Sequence, residues 1–245
     1  MIINESQNLI LKQNTLGIIG GMSWESSESY YRLINEGIKA KLGGLHSADL
    51  IIRSLNFATI SNLQAKDAWE EMGTILADSG LQLKAAGAQG LMIATNTMHK
   101  VAENVANATG LPLIHIADAT AKVITQKGLK NIALLGTNFT MTQDFYKQRL
   151  IDAGLTVMIP DEAQRTEIHR IIYDELCQGQ LLDSSRQYYS QVIKDLEMKG
   201  AEGVILGCTE IGLLVSKEDS TIPIFDTTAI HAAAAVDFLL TEYQT

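Results

Sequence analysis

Residues 85–98 read AAGAQGLMIATNTM, and residues 197–211 read EMKGAEGVILGCTEI. Both stretches have a Gly-Ala-x-Gly turn, then a short apolar run, then small polar residues. A short apolar run bounded by glycine is typical of a buried strand in a parallel sheet. The two stretches therefore predict two equivalent strands, and their alignment places Thr95 opposite Cys208.

Two further pairs of landmarks repeat at nearly the same interval. Gly20 in LGIIGGMSW matches Gly136 in IALLGTNFT, and Pro112 matches Pro223. The members of all three matched pairs lie 111 to 116 positions apart. A tandem duplication with small insertions explains this constant interval.

Long helical patterns alternate with the short apolar runs. Apolar residues spaced by three and four positions predict amphipathic helices, in the segments 28–38, 69–87, 185–200 and 229–243. Strands that alternate with helices indicate βαβ units on parallel sheets. We therefore expect an α/β protein with two pseudo-symmetric lobes, each a parallel β-sheet flanked by helices.

The repeat also predicts the limits of the lobes. The first lobe is expected to comprise residues 1–117 and 228–245, with residues 1–15 as a polar N-terminal extension, and the second lobe residues 118–227. Ligands of such sheets bind beyond the carboxyl ends of the strands. This places Thr95 to Met98 and Cys208 to Ile211 at an active site between the lobes.

Composition narrows the class of protein. Of 245 residues, 46% are hydrophobic and 19% are charged, with a net charge of −9 and a pI near 5.0. No apolar run approaches the roughly 20 residues of a membrane span, and no cluster of Lys and Arg residues could bind the phosphates of a nucleic acid. We expect a cytoplasmic protein without membrane or nucleic-acid partners. The two cysteines exclude a disulfide scaffold.

Two opposed polar groups suit the inversion of a carbon that bears a proton. Such a reaction needs a base on one face and an acid on the other. Cys208 can supply the base if backbone N–H groups at its turn lower the thiol pKa from about 8.5. The alternative is that Cys208 is a small buried hydrophobe. Cys177, in an apparent helix, is interpreted as a structural residue.

Several segments together resemble the aspartate/glutamate racemase family of cofactor-independent amino-acid racemases. The resemblance covers nearly the whole chain after the extension and rests on residues 17–38 (GIIGGMSWES…YYRLINEGI), 94–102 (ATNTMHKVA), 113–120 (LIHIADAT), 134–150 (LLGTNFTMTQDFYKQRL) and 207–214 (GCTEIGLL). It implies two pseudo-symmetric lobes, an interlobe site, a homodimer and no cofactor. The implied reaction is proton exchange at the α-carbon of aspartate or glutamate.

This chain departs from many family members, which have a cysteine at the position of Thr95. A hydroxyl near pKa 15.7 is a weaker acid than a thiol by about 7 units, on the order of 10 kcal/mol. Threonine is a poor base but an able acid towards a carbanion. We therefore expect the Cys208 thiolate to remove the α-proton, on the L face by family analogy, and Thr95 to reprotonate the opposite face. His99 either polarises the Thr95 hydroxyl or bonds to the local backbone.

Candidate substrate-binding residues flank the two catalytic positions. Asn96, Thr97 and Thr209, with neighbouring backbone N–H groups, suit an α-carboxylate at a helix N-terminus. Met98 belongs to the same segment after the first repeated strand. The resemblance makes Met22 a wall of the pocket.

The remaining candidates have two interpretations each. Arg53 either binds a side-chain carboxylate through its planar guanidinium or is a solvated surface residue. Gln64 or Lys66, in the polar segment 61–66, either closes over the site or belongs to a plain loop. Glu210 either orients the ligand or Cys208, or is a surface acid. Some relatives bind the distal carboxylate through a lysine where this chain has Glu167.

Two other classes of function remain open. A one-cysteine decarboxylase or cis–trans isomerase of a small dicarboxylate, within the same superfamily, would use Cys208 alone. A non-catalytic protein that binds an acidic metabolite would need no ionised thiol. Zinc enzymes and nucleotide-binding enzymes are disfavoured because their motifs and histidine spacings are absent from the sequence.

Overall fold

The computed structural model describes residues 13–241, so residues 1–12 of the predicted extension and 242–243 of the last predicted helix lie outside it. The first half contains β1 (Leu16–Gly20), α1 (Trp24–Leu42), β2 (Leu50–Ser54), α2 (Phe57–Ala65), α3 (Trp69–Ala85), β3 (Gly90–Ile93), a 3-10 turn (Thr97–Val101), α4 (Ala102–Thr109), β4 (Leu113–Ile114) and α5 (Ile116–Gln126). The second half contains β5 (Asn131–Gly136), α6 (Asn138–Thr142), α7 (Asp144–Asp152), β6 (Thr156–Met158), α8 (Glu162–Asp174), a 3-10 turn (Leu176–Gln178), α9 (Asp183–Met198), β7 (Gly203–Gly207), α10 (Ile211–Leu214), a 3-10 turn (Lys217–Asp219), β8 (Ile224–Asp226) and α11 (Thr227–Leu239).

The eight strands form two parallel four-stranded sheets with the same topology. The strand order is β2-β1-β3-β4 in one sheet and β6-β5-β7-β8 in the other. The repeated strands β3 and β7 occupy equivalent inner places, beside β1 and β5 respectively. The predicted α/β fold with two similar parallel sheets is confirmed.

The helix after each sheet packs against the other half of the molecule. Ile116 and Ile124 of α5 contact Leu134 of the second sheet. Ala235 and Val236 of α11 pack with the core of the first sheet. This exchange agrees with the assignment of the last helix to the first lobe, while the exact limits of the lobes stay a prediction.

A glycine turn after β1 allows the loop to approach the neighbouring strand end. Gly21 has φ +85°, and a Cβ atom there would lie 2.2 Å from the carbonyl oxygen of Leu55. Only glycine fits such a close approach in this backbone region. The turn places Met22 and the N-terminus of α1 at the carboxyl edge of the sheet.

The segment 61–66 is not the plain loop of one of its two interpretations. Residues 61–65 form the second half of helix α2. Ile60, Leu63 and Gln64 are buried and give this short helix an inward face. A helical pattern is hard to recognise in a segment of only nine residues, because short apolar runs do not separate helix from strand.

Candidate active site

A small cavity lies where the carboxyl ends of the two sheets face each other. Its volume is about 20 Å³, and it is lined by Met22, Phe57, Gln64, Thr95, Thr97, Thr137, Ile172, Tyr173, Cys177, Cys208 and Glu210. This volume holds about one water molecule. The cavity is therefore too small for an amino acid as it stands, so its lining side chains must move apart before one can bind.

The two residues matched by the internal repeat both line this cavity. Thr95 follows β3, and Cys208 comes directly after β7. Since β3 and β7 are equivalent strands of two sheets whose ends meet, their following residues approach the same space from opposite lobes. Cys208 is 9% exposed and Thr95 is half-buried.

The Cys208 thiol is hydrogen-bonded to a carboxylate that also contacts the first lobe. The Sγ atom of Cys208 donates to Oε2 of Glu210 at 2.9 Å. The hydroxyl of Ser23 donates to Oε1 of the same carboxylate at 2.7 Å. Ser23 is the N-cap of α1, so its position is set by the helix it begins. The result is a buried chain of contacts from α1 to the thiol.

The surroundings of the Cys208 thiol raise its pKa, whereas we expected backbone N–H groups to lower it. Burial and the adjacent Glu210 carboxylate raise the pKa of Cys208 well above its ordinary value. The expectation considered only backbone N–H groups at the turn and omitted these two larger effects. Both effects favour the protonated thiol, and the Glu210 carboxylate lies beside its Sγ atom.

His99 bonds to the backbone on both sides of its ring. Its Nδ1 lies 2.8 Å from the carbonyl oxygen of Thr95, and its Nε2 accepts from the N–H of Ile116 at 3.3 Å. Because Nε2 is an acceptor, Nδ1 carries the proton and donates it to the Thr95 carbonyl. His99 thus fixes the backbone of Thr95 and does not polarise its hydroxyl.

Hydroxyl groups from both lobes meet in the same cavity as Thr95 and Cys208. The Oγ1 atoms of Thr97 and Thr137 are 3.0 Å apart, and both residues line the cavity. Thr137 is also the N-cap of α6. Behind them, the amide nitrogen of Asn96 donates to Thr227 Oγ1 at 3.1 Å, which links the segment after β3 to α11.

A hydrogen bond between the lobes joins two residues that line the cavity. The hydroxyl of Tyr173, on α8, donates to Oε1 of Gln64, on α2, at 3.0 Å. The amide nitrogen of Gln64 donates to the sulfur of Met98 at 3.3 Å. Gln64 therefore lines the cavity and contacts a residue of the other lobe that the sequence did not reveal.

Several candidate residues do not reach the cavity. Arg53 is exposed, and its guanidinium donates to Gln82 and to the carbonyl oxygen of Ser54. Met98 is fully buried in the core of the first lobe. Lys66 is exposed.

Asn96 and Thr209 support the site from behind its wall. The Asn96 side chain is directed to Thr227. The hydroxyl of Thr209 accepts from Ser26 at 2.9 Å, across the lobes. The helices that follow them, a 3-10 turn of five residues and α10 of four, are shorter than expected for carboxylate binding at a helix N-terminus.

Sequence reasoning missed five lining residues, namely Phe57, Thr137, Ile172, Tyr173 and Cys177. Thr137 could have been found, because it follows Gly136 as Gly21 follows Gly20 in the repeat. Cys177 packs on the core of the second lobe, as its structural interpretation implies, but it also faces the cavity. Ile172 and Tyr173 come from a helix that carries no motif.

Within residues 13–241, no group of three or more His, Cys, Asp or Glu side chains is placed to bind a metal ion. No helix in that range has the length and apolar character needed to cross a bilayer.

Comparison with known proteins identifies the family of this chain. The sequence profile of the Asp/Glu/hydantoin racemase family matches residues 19–235. The structure is similar to that of a candidate Asp/Glu racemase from Yersinia pestis, with 53% identity over 93% of this chain and 99% of that chain and a TM-score of 0.87.

Two more relatives agree with this match. An aspartate racemase homologue from Pyrococcus horikoshii is 35% identical over 93% of this chain and 99% of that chain, with a TM-score of 0.80. The broad specificity amino-acid racemase RacX of Bacillus subtilis is 25% identical over 171 residues, which are 70% of this chain and 74% of RacX. The chain belongs to the Asp/Glu/hydantoin racemase family and is, by that membership, an isomerase.

Proposed function

We propose that this protein racemises an amino acid by two-base proton transfer at the α-carbon, without a cofactor. Cys208 and Thr95 are the two groups that exchange protons with the substrate. The observation that supports the proposal is that both residues follow equivalent strands, one from each sheet, and line the same cavity. Aspartate and glutamate are the first substrates to test, because the names of the relatives include them.

The reaction begins with the pair formed by Cys208 and Glu210. When a substrate fills the cavity, the Glu210 carboxylate takes the Sγ proton, and the resulting thiolate removes the α-proton. The carbanion then takes the hydroxyl proton of Thr95 from the other face. At that point Thr95 lacks one proton and the Cys208–Glu210 pair holds one more than before. Exchange with solvent on opening restores both groups.

The neighbouring hydroxyl groups suit the substrate carboxylate. Thr97 and Thr137 line the cavity beside Thr95 and can each donate a hydrogen bond to a carboxylate oxygen. Such charge-assisted bonds are stronger than those between neutral groups. They also withdraw charge as the carbanion forms.

Isotope exchange tests this function directly. We expect purified protein in D₂O, without added cofactor, to replace the α-proton of an L-amino acid and to release the D-enantiomer. Cys208→Ala should abolish both signals. Exchange without inversion would show that Thr95 is not the second acid, and no exchange with any amino acid would favour a decarboxylase, an isomerase or a binding protein.

The kinetics of the L-to-D and D-to-L reactions provide a second test of the proposed roles of Cys208 and Thr95. Since enantiomers have equal free energy, kcat/KM must be equal in both directions. The unequal basicities of Cys208 and Thr95 should nevertheless produce different kcat values for L- and D-substrate. Equal kcat values in both directions would contradict the division of roles between the two residues.

We also propose that the protein is a cytoplasmic homodimer. The dimer is the assembly implied by the family resemblance, and the low cysteine content suits a reducing compartment. Light scattering after size exclusion should give a mass near twice that of the 26.7 kDa chain. A monomeric mass would contradict the assembly.

A further inference from the structure

A second and larger cavity lies between the two halves of the chain. Its volume is about 410 Å³, and its lining residues lie within the ranges 99–103 and 144–152 and at His115. We call it the α7 cavity, because the range 144–152 is helix α7. None of these residues also lines the small cavity that contains Thr95 and Cys208. A volume of this size is typical of binding sites for small molecules.

Two stacked imidazole rings form part of the wall of the α7 cavity. The ring centres of His99 and His115 lie 4.5 Å apart. Both nitrogens of His99 already bond to the backbone. Nδ1 of His115 accepts from the N–H of Ala117 at 3.2 Å, so the proton of the neutral ring is on Nε2. That N–H has no acceptor in the part of the chain that the structure describes.

The unpartnered N–H belongs to a buried and neutral ring. His115 is 6% exposed, and the surface that it keeps faces the cavity that it lines. Burial and the charge of Arg149 lower the pKa of His115 to about 3. A buried donor without a partner is costly, so this N–H favours a molecule that presents an acceptor oxygen in the cavity.

Arg149 offers further donors to the same space. Its Nη1 makes both contacts with Asp118, at 2.8 Å and 3.0 Å, whereas its Nε and Nη2 have no hydrogen bond to the described residues. The other cation of the lining, Lys100, lies with its ammonium group 3.8 Å from the centre of the Trp69 ring. A guanidinium with free N–H groups beside an imidazole N–H suits one carboxylate or phosphate group.

The rim of the α7 cavity is acidic. Glu103, Asp144 and Asp152 are exposed lining residues, so three carboxylates stand against the two cations Lys100 and Arg149. This excess of negative charge repels a ligand with several phosphates. It suits a ligand that also carries an ammonium group, since such a group can bind to the carboxylates of the rim.

We propose that the α7 cavity is a second binding site, which takes a small zwitterion of about the size of an amino acid. His115 Nε2 and the free N–H groups of Arg149 donate to its carboxylate or phosphate oxygens. Glu103 or Asp152 accepts from its ammonium group. The site shares no lining residue with the cavity of Thr95 and Cys208, so the proposal does not depend on the racemase function.

Titration calorimetry with matched probes tests the chemistry of the ligand. β-Alanine is a zwitterion of this size whose α-carbon is not a stereocentre, so racemisation cannot consume it. Propionate and propylamine each keep one of its two charges, and O-phosphoethanolamine replaces the carboxylate by a phosphate. We expect saturable binding of β-alanine or O-phosphoethanolamine, and the tighter of the two identifies the oxyanion.

The single-charge probes decide whether both charges are needed. Propionate and propylamine should bind more weakly than β-alanine by about tenfold or more, because each lacks one set of charge-assisted contacts. Equal binding of propionate and β-alanine would overturn the zwitterion assignment. Saturable binding of neither β-alanine nor O-phosphoethanolamine would overturn the proposal as a whole.

Variants of the two donors locate the site. Arg149→Gln and His115→Asn should each weaken binding of the preferred zwitterion by about tenfold or more. Asparagine removes the ring N–H but can still cap α5, which begins after His115. Arg32→Gln is the matched control, since Arg32 is a half-exposed arginine paired with Glu28 on α1. Binding that is unchanged in both donor variants would overturn the proposal.

NMR of the parent protein gives a readout that does not depend on the folding of a variant. The ring nitrogen signals of His115 should shift as the zwitterion is added, while those of the exposed His46 should not. His115 signals that stay in place at saturating zwitterion would contradict binding in the α7 cavity.

Discussion

The Sγ atom of Cys208 lies 2.9 Å from Oε2 of Glu210, two residues further along the chain. The other oxygen of this carboxylate is held by Ser23, which belongs to the opposite lobe. Glu210 therefore joins the thiol of the second lobe to the N-cap of α1 in the first lobe through its two carboxylate oxygens.

Removing the carboxylate should have opposite effects on catalysis and on thiol reactivity. Glu210→Gln is expected to lower kcat by about 100-fold, since a positioned acid or base contributes factors of this size. The same change should accelerate alkylation of Cys208 by iodoacetamide, because the carboxylate that raises the thiol pKa is gone. Racemase assays and mass-spectrometric mapping of the alkylated cysteine measure the two effects.

Glu28→Gln serves as the control for this experiment. Its carboxylate is exposed and forms a surface ion pair with Arg32, so neither kcat nor alkylation should change. If Glu210→Gln slowed alkylation, the electrostatic role assigned to Glu210 would be wrong.

Variants at position 95 should separate proton removal from inversion. Thr95→Ala is expected to keep α-proton exchange on the L-substrate through Cys208 and to lose D-product by about 100-fold or more. Thr95→Ser, which keeps a hydroxyl, should retain inversion. Thr95→Cys should raise kcat for the D-substrate, because a thiol ionises to a usable base near neutral pH far more readily than a hydroxyl does. Unaltered D-product formation in Thr95→Ala would assign the second proton to another group.

The contact between Tyr173 and Gln64 should favour the closed state. Tyr173→Phe removes one hydrogen bond between the lobes, worth about 1 kcal/mol, so KM should rise by about fivefold. Steady-state kinetics and thermal melting give the two readouts, and Tm should change little. Tyr188→Phe, in α9 and outside the cavity lining, is the control. A large fall in Tm with unchanged KM would make the contact structural only.

The packing of the last helix, α11, against the first sheet should depend on a glycine in β3. A Cβ atom on Gly90 of β3 would lie 2.4 Å from the ring of Phe238 on α11. Gly90→Ala should therefore lower the free energy of unfolding by about 1–3 kcal/mol, and adding Phe238→Leu should restore part of it. Urea unfolding measures both variants. Strictly additive losses would show that the two positions do not contact each other.

Buried neutral histidines should make the protein sensitive to acid. Burial lowers the pKa of His231 to about 4 and that of His115 to about 3, against about 6.5 when unfolded. As pH falls below about 6.5 the unfolded chain takes up protons that the folded protein does not, so stability decreases down to pH 4 and below. His231 alone accounts for on the order of 3 kcal/mol.

Urea unfolding between pH 7.5 and pH 4.5 checks this sign. His231→Gln should flatten the pH dependence, while His46→Gln, on the exposed surface, should leave it as in the parent protein. A parent protein that becomes more stable as the pH falls would contradict the buried neutral state of His231.

The local sequence pattern was sufficient to predict the fold, because each half contains the same motif of a glycine turn, an apolar run and small polar residues within about 15 residues. The runs GLMIA and GVILG predicted strands, and these strands are β3 and β7. The same pattern placed Thr95 and Cys208 at strand ends. It failed at α2, which is nine residues long, and it missed α8, whose inner face supplies Ile172 and Tyr173.

The sequence by itself determined the duplication, the two parallel sheets and the two opposed catalytic candidates, since these follow from periodicity and from the direction of parallel strands. Only the tertiary structure decided the direction of the pKa shift of Cys208, the backbone role of His99 and the surface position of Arg53. Those outcomes depend on burial and on partners outside the local stretch, such as Ile116 beside His99 and Gln82 beside Arg53. Desolvation and hydrogen bonds across the lobes have no signature in a local stretch of residues.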